Sequence, residues 1–290
     1  MSDETPRERE PTVDVIRAIQ FGQLVDEASK TAPDDLTNRA GSAFSVGSTN
    51  YTVVTTVYTN DLATDMDTSR DNVSIGLICQ ADTTGDVVVA IRGTQGIWEW
   101  IHDINFFLVP CPFLAAGGHT EDGFTDMYRS LRTDVTRGST TFVEEIGNLA
   151  FPQPVGLVTV CGHSLGGALA TLLALDLTAN GKAPFNQSAA YTYGSPRTGD
   201  SSFAATYNQA VMNSHRIANR LDIVPQVPPP ALYEHVAAPY ALNPIQLLPL
   251  PPKVLVEENL PCEHSLSTYL YLLSLQSGGP VIPLDAACQP

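Results

Sequence analysis

One serine in this chain of 290 residues stands where a nucleophile could be made. Residues 158–170 read Val-Thr-Val-Cys-Gly-His-Ser-Leu-Gly-Gly-Ala-Leu-Ala, an apolar run that enters Gly-x-Ser-x-Gly and leaves in an Ala/Leu pattern. The chemistry this could support is attack of Ser164 on an acyl carbonyl, if the turn lifts the hydroxyl clear of a sheet. Val158, Val160 and Cys161 suit a buried central strand. Gly162 and Gly166 carry no Cβ, so neighbouring backbone can close in around the serine. Gly167 and Ala168 keep the start of the next helix narrow. That helix is expected from Leu165 to about Asn180, with Gly181 as its stop. Its N-terminus would set open N–H groups and the positive end of a dipole beside Ser164, which suits a developing oxyanion. The pentapeptide alone equally describes a glycine-rich turn with a solvent-facing serine. The flanking strand and helix favour the nucleophile.

A serine hydroxyl is a weak nucleophile near neutrality. It needs an imidazole within about 3 Å, and the imidazole needs an orienting carboxylate. After a Gly-x-Ser-x-Gly elbow the partners follow in the order Asp or Glu, then His. Of six histidines, this leaves His215, His235 and His264. His215 precedes the best carboxylate and reads as strand. That carboxylate is Asp222, in Arg-Leu-Asp-Ile-Val-Pro (residues 220–225), just after a strand at 214–217. Groups at the carboxyl ends of strands gather at the site of an open α/β sheet. Asp200 reads instead as the N-cap of a helix at 203–211. Asp176 lies inside the helix that follows Ser164. His264 directly precedes an apolar helix at 266–275 that could clamp it, and is the expected base; His235 is the alternative.

Two N–H donors are needed for the oxyanion. Leu165, after the nucleophile, supplies one, and Thr94, in Ile-Arg-Gly-Thr after the apolar strand 86–92, is the expected second. The bland reading of Arg-Gly-Thr is a plain exit turn. Next comes Gly-Ile-Trp-Glu-Trp-Ile-His-Asp-Ile-Asn (residues 96–105). At helical spacing Ile97, Trp98, Trp100, Ile101 and Ile104 form an apolar surface. Exposed, it is a binding patch; closed over Ser164, a lid; packed for good, core. Segments 237–240 and 247–250 could form the opposing wall.

The elements that must position these residues alternate. A helix is expected over 13–32, then a turn-rich stretch at 38–50, then strands at 51–59, 73–80 and 86–92, the last two joined by Asp-Thr-Thr-Gly-Asp. A mostly helical stretch at 126–147 leads to the elbow strand at 155–161, and short strands follow at 189–193 and 214–217. Ten prolines in 225–261 break regular structure, so a long loop is expected there. This pattern predicts an α/β domain with a mixed sheet after an initial hairpin. Residues 1–12 read as a polar tail, and 13–290 as a single domain.

Composition excludes other readings. With 31 acidic against 15 basic residues the formal net charge is −16, and only three residues are lysine. Phosphate backbones need clustered Lys and Arg, so no nucleic-acid partner is expected. Electrostatic docking on anionic membranes is disfavoured, while apolar attachment to a neutral lipid surface is not. No apolar run reaches the length of a membrane span, and the first residues lack the apolar core of a secretion signal. Five cysteines fit neither a zinc site nor a dense disulfide scaffold. Cys79 and Cys161 read as core residues; a bridge of Cys262 to Cys111 or to Cys288 is open.

Taken together, the chain resembles the fungal-type, or class 3, lipases of the α/β-hydrolase fold. The resemblance rests on Ile-Arg-Gly-Thr (91–94), Ile-Trp-Glu-Trp-Ile-His-Asp-Ile-Asn-Phe (97–106), Asp-Gly-Phe (122–124), Gly-His-Ser-Leu-Gly-Gly-Ala (162–168), Tyr-Gly-Ser-Pro (193–196), Arg-Leu-Asp-Ile-Val-Pro (220–225) and His264. These cover most of residues 50–275 in order. The resemblance implies a mostly parallel sheet with helices on both faces. It implies a triad of Ser164, Asp222 and His264, oxyanion donors at Thr94 and Leu165, and a mobile lid at about 95–106 with Trp100 at the family's lid tryptophan. It implies hydrolysis of acylglycerols at a lipid–water interface, with no cofactor or metal. Phospholipase A1 and short-chain, feruloyl or polyester esterases are the alternatives that use the same triad; a non-catalytic lipid-binding protein is the alternative of another class. Secreted fungal members carry a signal peptide and paired cysteines, neither of which is evident in this sequence, though the family points to extracellular action.

Overall fold

The computed structural model describes residues 12–60, 72–94, 106–136, 140–247 and 259–289. Residues 1–11 of the expected polar tail (1–12) and the tryptophan-bearing segment at 95–105 lie outside them.

Residues that alternate along the central strands build two cores, one on each face of a sheet. In β4 (Val87–Ile91) the side chains of Val87, Val89 and Ile91 enter one core, and those of Val88 and Ala90 the other. This is the two-residue period of a strand covered on both faces. β7 (Val158–His163) repeats it, with Val158 and Val160 on the first face and Cys161 on the second. The first face is covered chiefly by α4 (Leu165–Asn180), in which residues from Leu165 through Leu177 are all buried. A helix apolar on every side belongs in a core. The second face is covered by α1 (Val15–Ser29) and α8 (Leu266–Ser277), which also pack on each other.

The sheet has eight strands in the order β1-β2-β3-β4-β7-β8-β9-β10. β1 (Ala43–Val46), β2 (Thr49–Thr59), β3 (Val73–Ala81) and β4 pair antiparallel in succession. From β4 through β7, β8 (Ser188–Tyr193), β9 (Ser214–Asn219) and β10 (Pro239–Leu242) the pairings are parallel. The sheet is therefore mixed and largely parallel, with helices on both faces: the α/β-hydrolase fold. A separate hairpin of β5 (Leu108–Pro110) and β6 (His119–Glu121) leads out of the segment after β4.

Several expected elements differ. The turn-rich stretch before residue 50 contains β1, whose short hairpin with β2 hides in its glycines and serines. The helical stretch over 126–147 is two helices, α2 (Asp122–Arg129) and α3 (Phe142–Asn148). The break is chemical: Thr141 and Glu144 form a capping box that starts α3 afresh. The proline-rich stretch is not structureless either. It holds β10 and α6 (Pro244–Leu247). Pro239 is tolerated because it begins an edge strand. Tyr240 and Leu247 pack into the core beneath α8, so they do not form a wall opposite Ser164. Residues 248–250 of the expected wall lie outside the described residues.

Candidate active site

Ser164 caps α4 in a conformation few L-residues adopt, φ 59° and ψ −128°. Such strain costs roughly 1–3 kcal/mol and persists only where surrounding structure imposes it. The imposition is visible in the close approach of backbone. A Cβ on Gly162 would lie 2.1 Å from the Gly166 oxygen, and one on Gly166 would lie 2.3 Å from the Ile91 oxygen. The elbow therefore presses the start of α4 against the end of β4. Ser164 makes no capping bond with its own side chain, which leaves the hydroxyl for another partner.

That partner is His264. Its Nε2 stands 2.7 Å from Ser164 Oγ, and its Nδ1 stands 2.7 Å from Asp222 Oδ2. A carboxylate accepts from Nδ1–H, so Nε2 presents its lone pair to the serine hydroxyl. Asp222 is surrounded by donors. Oδ2 also accepts from the Tyr269 hydroxyl at 2.6 Å, and Oδ1 accepts from the Val224 N–H at 2.9 Å. Ser164, Asp222 and His264 are 1%, 2% and 5% exposed, so the relay is shielded from bulk water. Burial, followed by the charge of Asp222, pushes the Tyr269 hydroxyl well above its ordinary range, so it remains a donor.

The loop carrying His264 is held at three consecutive carbonyls. It comprises α7 (Leu260–His264), too short to satisfy its own last carbonyls. The Cys262 carbonyl accepts from Thr268 Oγ1 at 2.6 Å, the Glu263 carbonyl from Asn219 Nδ2 at 2.8 Å, and the His264 carbonyl from His163 Nε2 at 2.7 Å. A disulfide joins Cys262 to Cys288, which resolves the open pairing; Cys79, Cys111 and Cys161 are buried free thiols.

The remaining expected residues fall as follows. Leu165 opens α4, where the first-turn N–H groups have no carbonyl one turn back. Thr94 lies just past β4, beside Ser164's strand neighbour His163 and the base, in a crevice of about 300 Å³ that also exposes Ser265, Ser267 and Asp285. Ile97, Trp98, Trp100, Ile101 and Ile104 lie outside the described residues. His235 is not joined to Asp222; its Nε2 donates to the Pro225 carbonyl at 2.6 Å, and burial pushes its pKa down to about 3. Asp200 is the N-cap of α5 (Ser201–Ala210), and Asp176 accepts from the Tyr128 hydroxyl inside the core. Sequence reasoning missed Asn219, Thr268 and Tyr269. The one signal available was Tyr269 itself, since a tyrosine in an apolar helix needs a buried partner for its hydroxyl. Among the described residues no cluster of metal-ligating side chains occurs, and no helix is long and apolar enough to cross a membrane.

An α/β-hydrolase sheet with a serine elbow, an aspartate after a later strand and a histidine before the last long helix defines a class of folds and sites. Within that class, the profile of the class 3 lipases matches residues 88–232, half of the chain, and the protein belongs to this family. Similar proteins include the phospholipase A1-II 6 of Oryza sativa subsp. japonica, 31% identical over 67% of this chain and 54% of its own length. A secreted mono- and diacylglycerol lipase 1 of Fusarium solani is 32% identical over 54% of this chain and 44% of its own. The chain thus spans about half the length of these relatives. Among solved structures, a mutant form of MDLA from Penicillium cyclopium superposes with a TM-score of 0.58 at 25% identity, covering 80% of this chain and 82% of that one.

Proposed function

We propose that this protein is a carboxylic-ester hydrolase acting on acylglycerols, with Ser164 as nucleophile, His264 as general base and acid, and Asp222 as its orienter. The observation that carries the reading is the pair of 2.7 Å contacts running from Ser164 Oγ through the His264 ring to Asp222. His264 takes the Ser164 proton as Oγ attacks the ester carbonyl. The N–H groups of Leu165 and Thr94 receive the oxyanion; loss of one such donor typically costs about 3–4 kcal/mol. His264 then gives the proton to the departing alcohol, and the same base activates water to release the fatty acid. Residues 95–106, with Ile97, Trp98, Trp100, Ile101 and Ile104, act as a lid that meets the lipid surface. Residues 13–290 act as one catalytic domain. The Cys262–Cys288 bridge and two relatives described as secreted support extracellular action.

The test is a phosphonate ester that labels the active serine, combined with a panel of emulsified acylglycerols. Ser164→Ala should lose both labelling and turnover; continued labelling at the site refutes the nucleophile. A sharp rise in rate above the solubility limit of the substrate supports the lid. The relative described as a phospholipase A1 favours a second reading. Release of the sn-1 chain from phosphatidylcholine at a rate above that from diacylglycerol would choose it.

A further inference from the structure

One side chain at the site has no part in the proton relay. His163 precedes the nucleophile at the end of β7, and its ring centre lies 4.7 Å from that of His264. Its Nε2 stands 2.7 Å from the His264 carbonyl oxygen. A carbonyl can only accept, so Nε2 carries the proton and the tautomer is fixed. Burial, and next the charge His264 would bear, push the His163 pKa down to about 3, so the ring stays neutral while its neighbour cycles. The other side of the ring borders the turn before Thr94: a Cβ on Gly93 would lie 3.2 Å from His163 Nδ1 and 3.1 Å from Ser164 Cβ.

The Asp222 bond fixes one end of the base's ring but not its backbone. Thr268 and Asn219 hold the two preceding carbonyls from α8 and β9, neither of which carries the nucleophile. The third carbonyl is held from the last residue of β7, directly before the nucleophile. The contacts close a loop: Ser164 Oγ to the His264 ring, the His264 carbonyl to His163, and His163 along the chain to Ser164. Any shift of the elbow then carries the base with it. Resting on the triad proposed above, we infer that His163 is a positioning residue: its Nε2–H registers the backbone of the base to the nucleophile and keeps His264 Nε2 on Ser164 Oγ.

The test compares His163→Phe, which keeps a flat ring but no donor, with His163→Gln, whose amide can donate at similar reach. Hydrolysis of p-nitrophenyl butyrate below its solubility limit avoids any effect of an interface. His163→Phe should lower kcat by about 10- to 100-fold, the range that a misplacement near 1 Å produces, with KM within about twofold. His163→Gln should recover most of the loss. The low-field NMR resonance of the His264 Nδ1 proton should broaden in Phe and return in Gln. If ring packing alone matters, Phe retains kcat and Gln loses it, which overturns the inference. Should His163→Phe fail to fold, His163→Asn replaces it: the shorter amide falls short of the carbonyl, and full kcat in that variant is equally fatal. Ser164→Ala, run alongside, separates the two readings. Lost hydrolysis there with full kcat in His163→Phe overturns the positioning role alone; hydrolysis that persists in Ser164→Ala overturns the triad and the positioning role with it.

Discussion

The elbow at Ser164 and the loop at His264 face the same task, holding one reactive side chain still, and meet it in opposite ways. The elbow works within a few residues. Missing Cβ atoms at Gly162 and Gly166 let backbone close in and force the φ of 59° on Ser164. The His264 loop has no such strain. It is held by side chains outside it: Thr268 in the helix that follows, and His163, Asn219 and the Cys288 sulfur from farther along the chain. A strained turn made by close contact should fail all at once. A loop held by separate ties should fail by degrees.

The largest effect expected is at the elbow. Gly162→Ala would set a methyl 2.1 Å from a backbone oxygen that cannot swing away. The loss should exceed about 3 kcal/mol, beyond the usual range for an overpacked site. Urea unfolding would read it, and a variant of near wild-type midpoint would break the contrast. Next is Cys262→Ser with Cys288→Ser. The bridge spans 26 residues, for which chain entropy gives about 3.5 kcal/mol. Thermal unfolding should fall accordingly, and kcat should fall while phosphonate labelling of Ser164 persists at a lower rate. Asn219→Leu removes one tie and leaves the buried Glu263 carbonyl without that donor, a cost of about 1–3 kcal/mol. Its kcat should drop less than that of the double cysteine variant; an equal drop would mean that the ties do not act separately.

The smallest effect on kcat lies outside both regions and serves as a control. Glu121 is 2% exposed and N-caps α2, accepting from the Phe124 N–H at 2.8 Å. Burial pushes its carboxyl up to about 7, against the pull of the Phe124 and Gly123 N–H groups, with Asp122 and Asp126 raising it further. The folded state therefore binds the proton more tightly than the unfolded chain. This contribution is full below about pH 4.5 and is lost as pH rises through about 7, with a slope of at most about 1.4 kcal/mol per pH unit. Glu121→Gln should flatten that fall, seen by urea unfolding at pH 5 and pH 8, while kcat stays unchanged.

The contrast also explains what could be read from the chain. α4 begins and ends where its composition implies, because glycine, alanine and leucine set it locally. Ser164, Asp222 and His264 were reachable from the elbow, chain order and the strand or helix beside each candidate, and they stand within hydrogen-bonding distance. Asn219 and Thr268 were not reachable: each is an ordinary polar residue until tertiary packing brings a carbonyl to it. β1 escaped notice because four residues of an edge hairpin leave little periodicity. α1 begins later than its apolar period because Asp14 caps it, accepting from the Ile16 and Arg17 N–H groups. The break between α2 and α3 was present as Thr141 and Glu144, a signal outweighed by the apolar pattern around it.

Proline keeps its carbonyl and loses its N–H, so the stretch after Val224 is rich in acceptors and poor in donors. Arginine, with five donors and no acceptor, is the complement. Arg197 donates to the Gln226 and Pro228 carbonyls, and Arg216 to those of Val236 and Ala237. In a chain with so few cations, these two are used as donors to neutral groups. Attachments of this kind have no partner charge to screen. Rising ionic strength should loosen Lys30 from Glu27 and Arg129 from Asp126, yet leave residues 225–238 seated, because their attachment rests on carbonyl chemistry and owes little to paired charges.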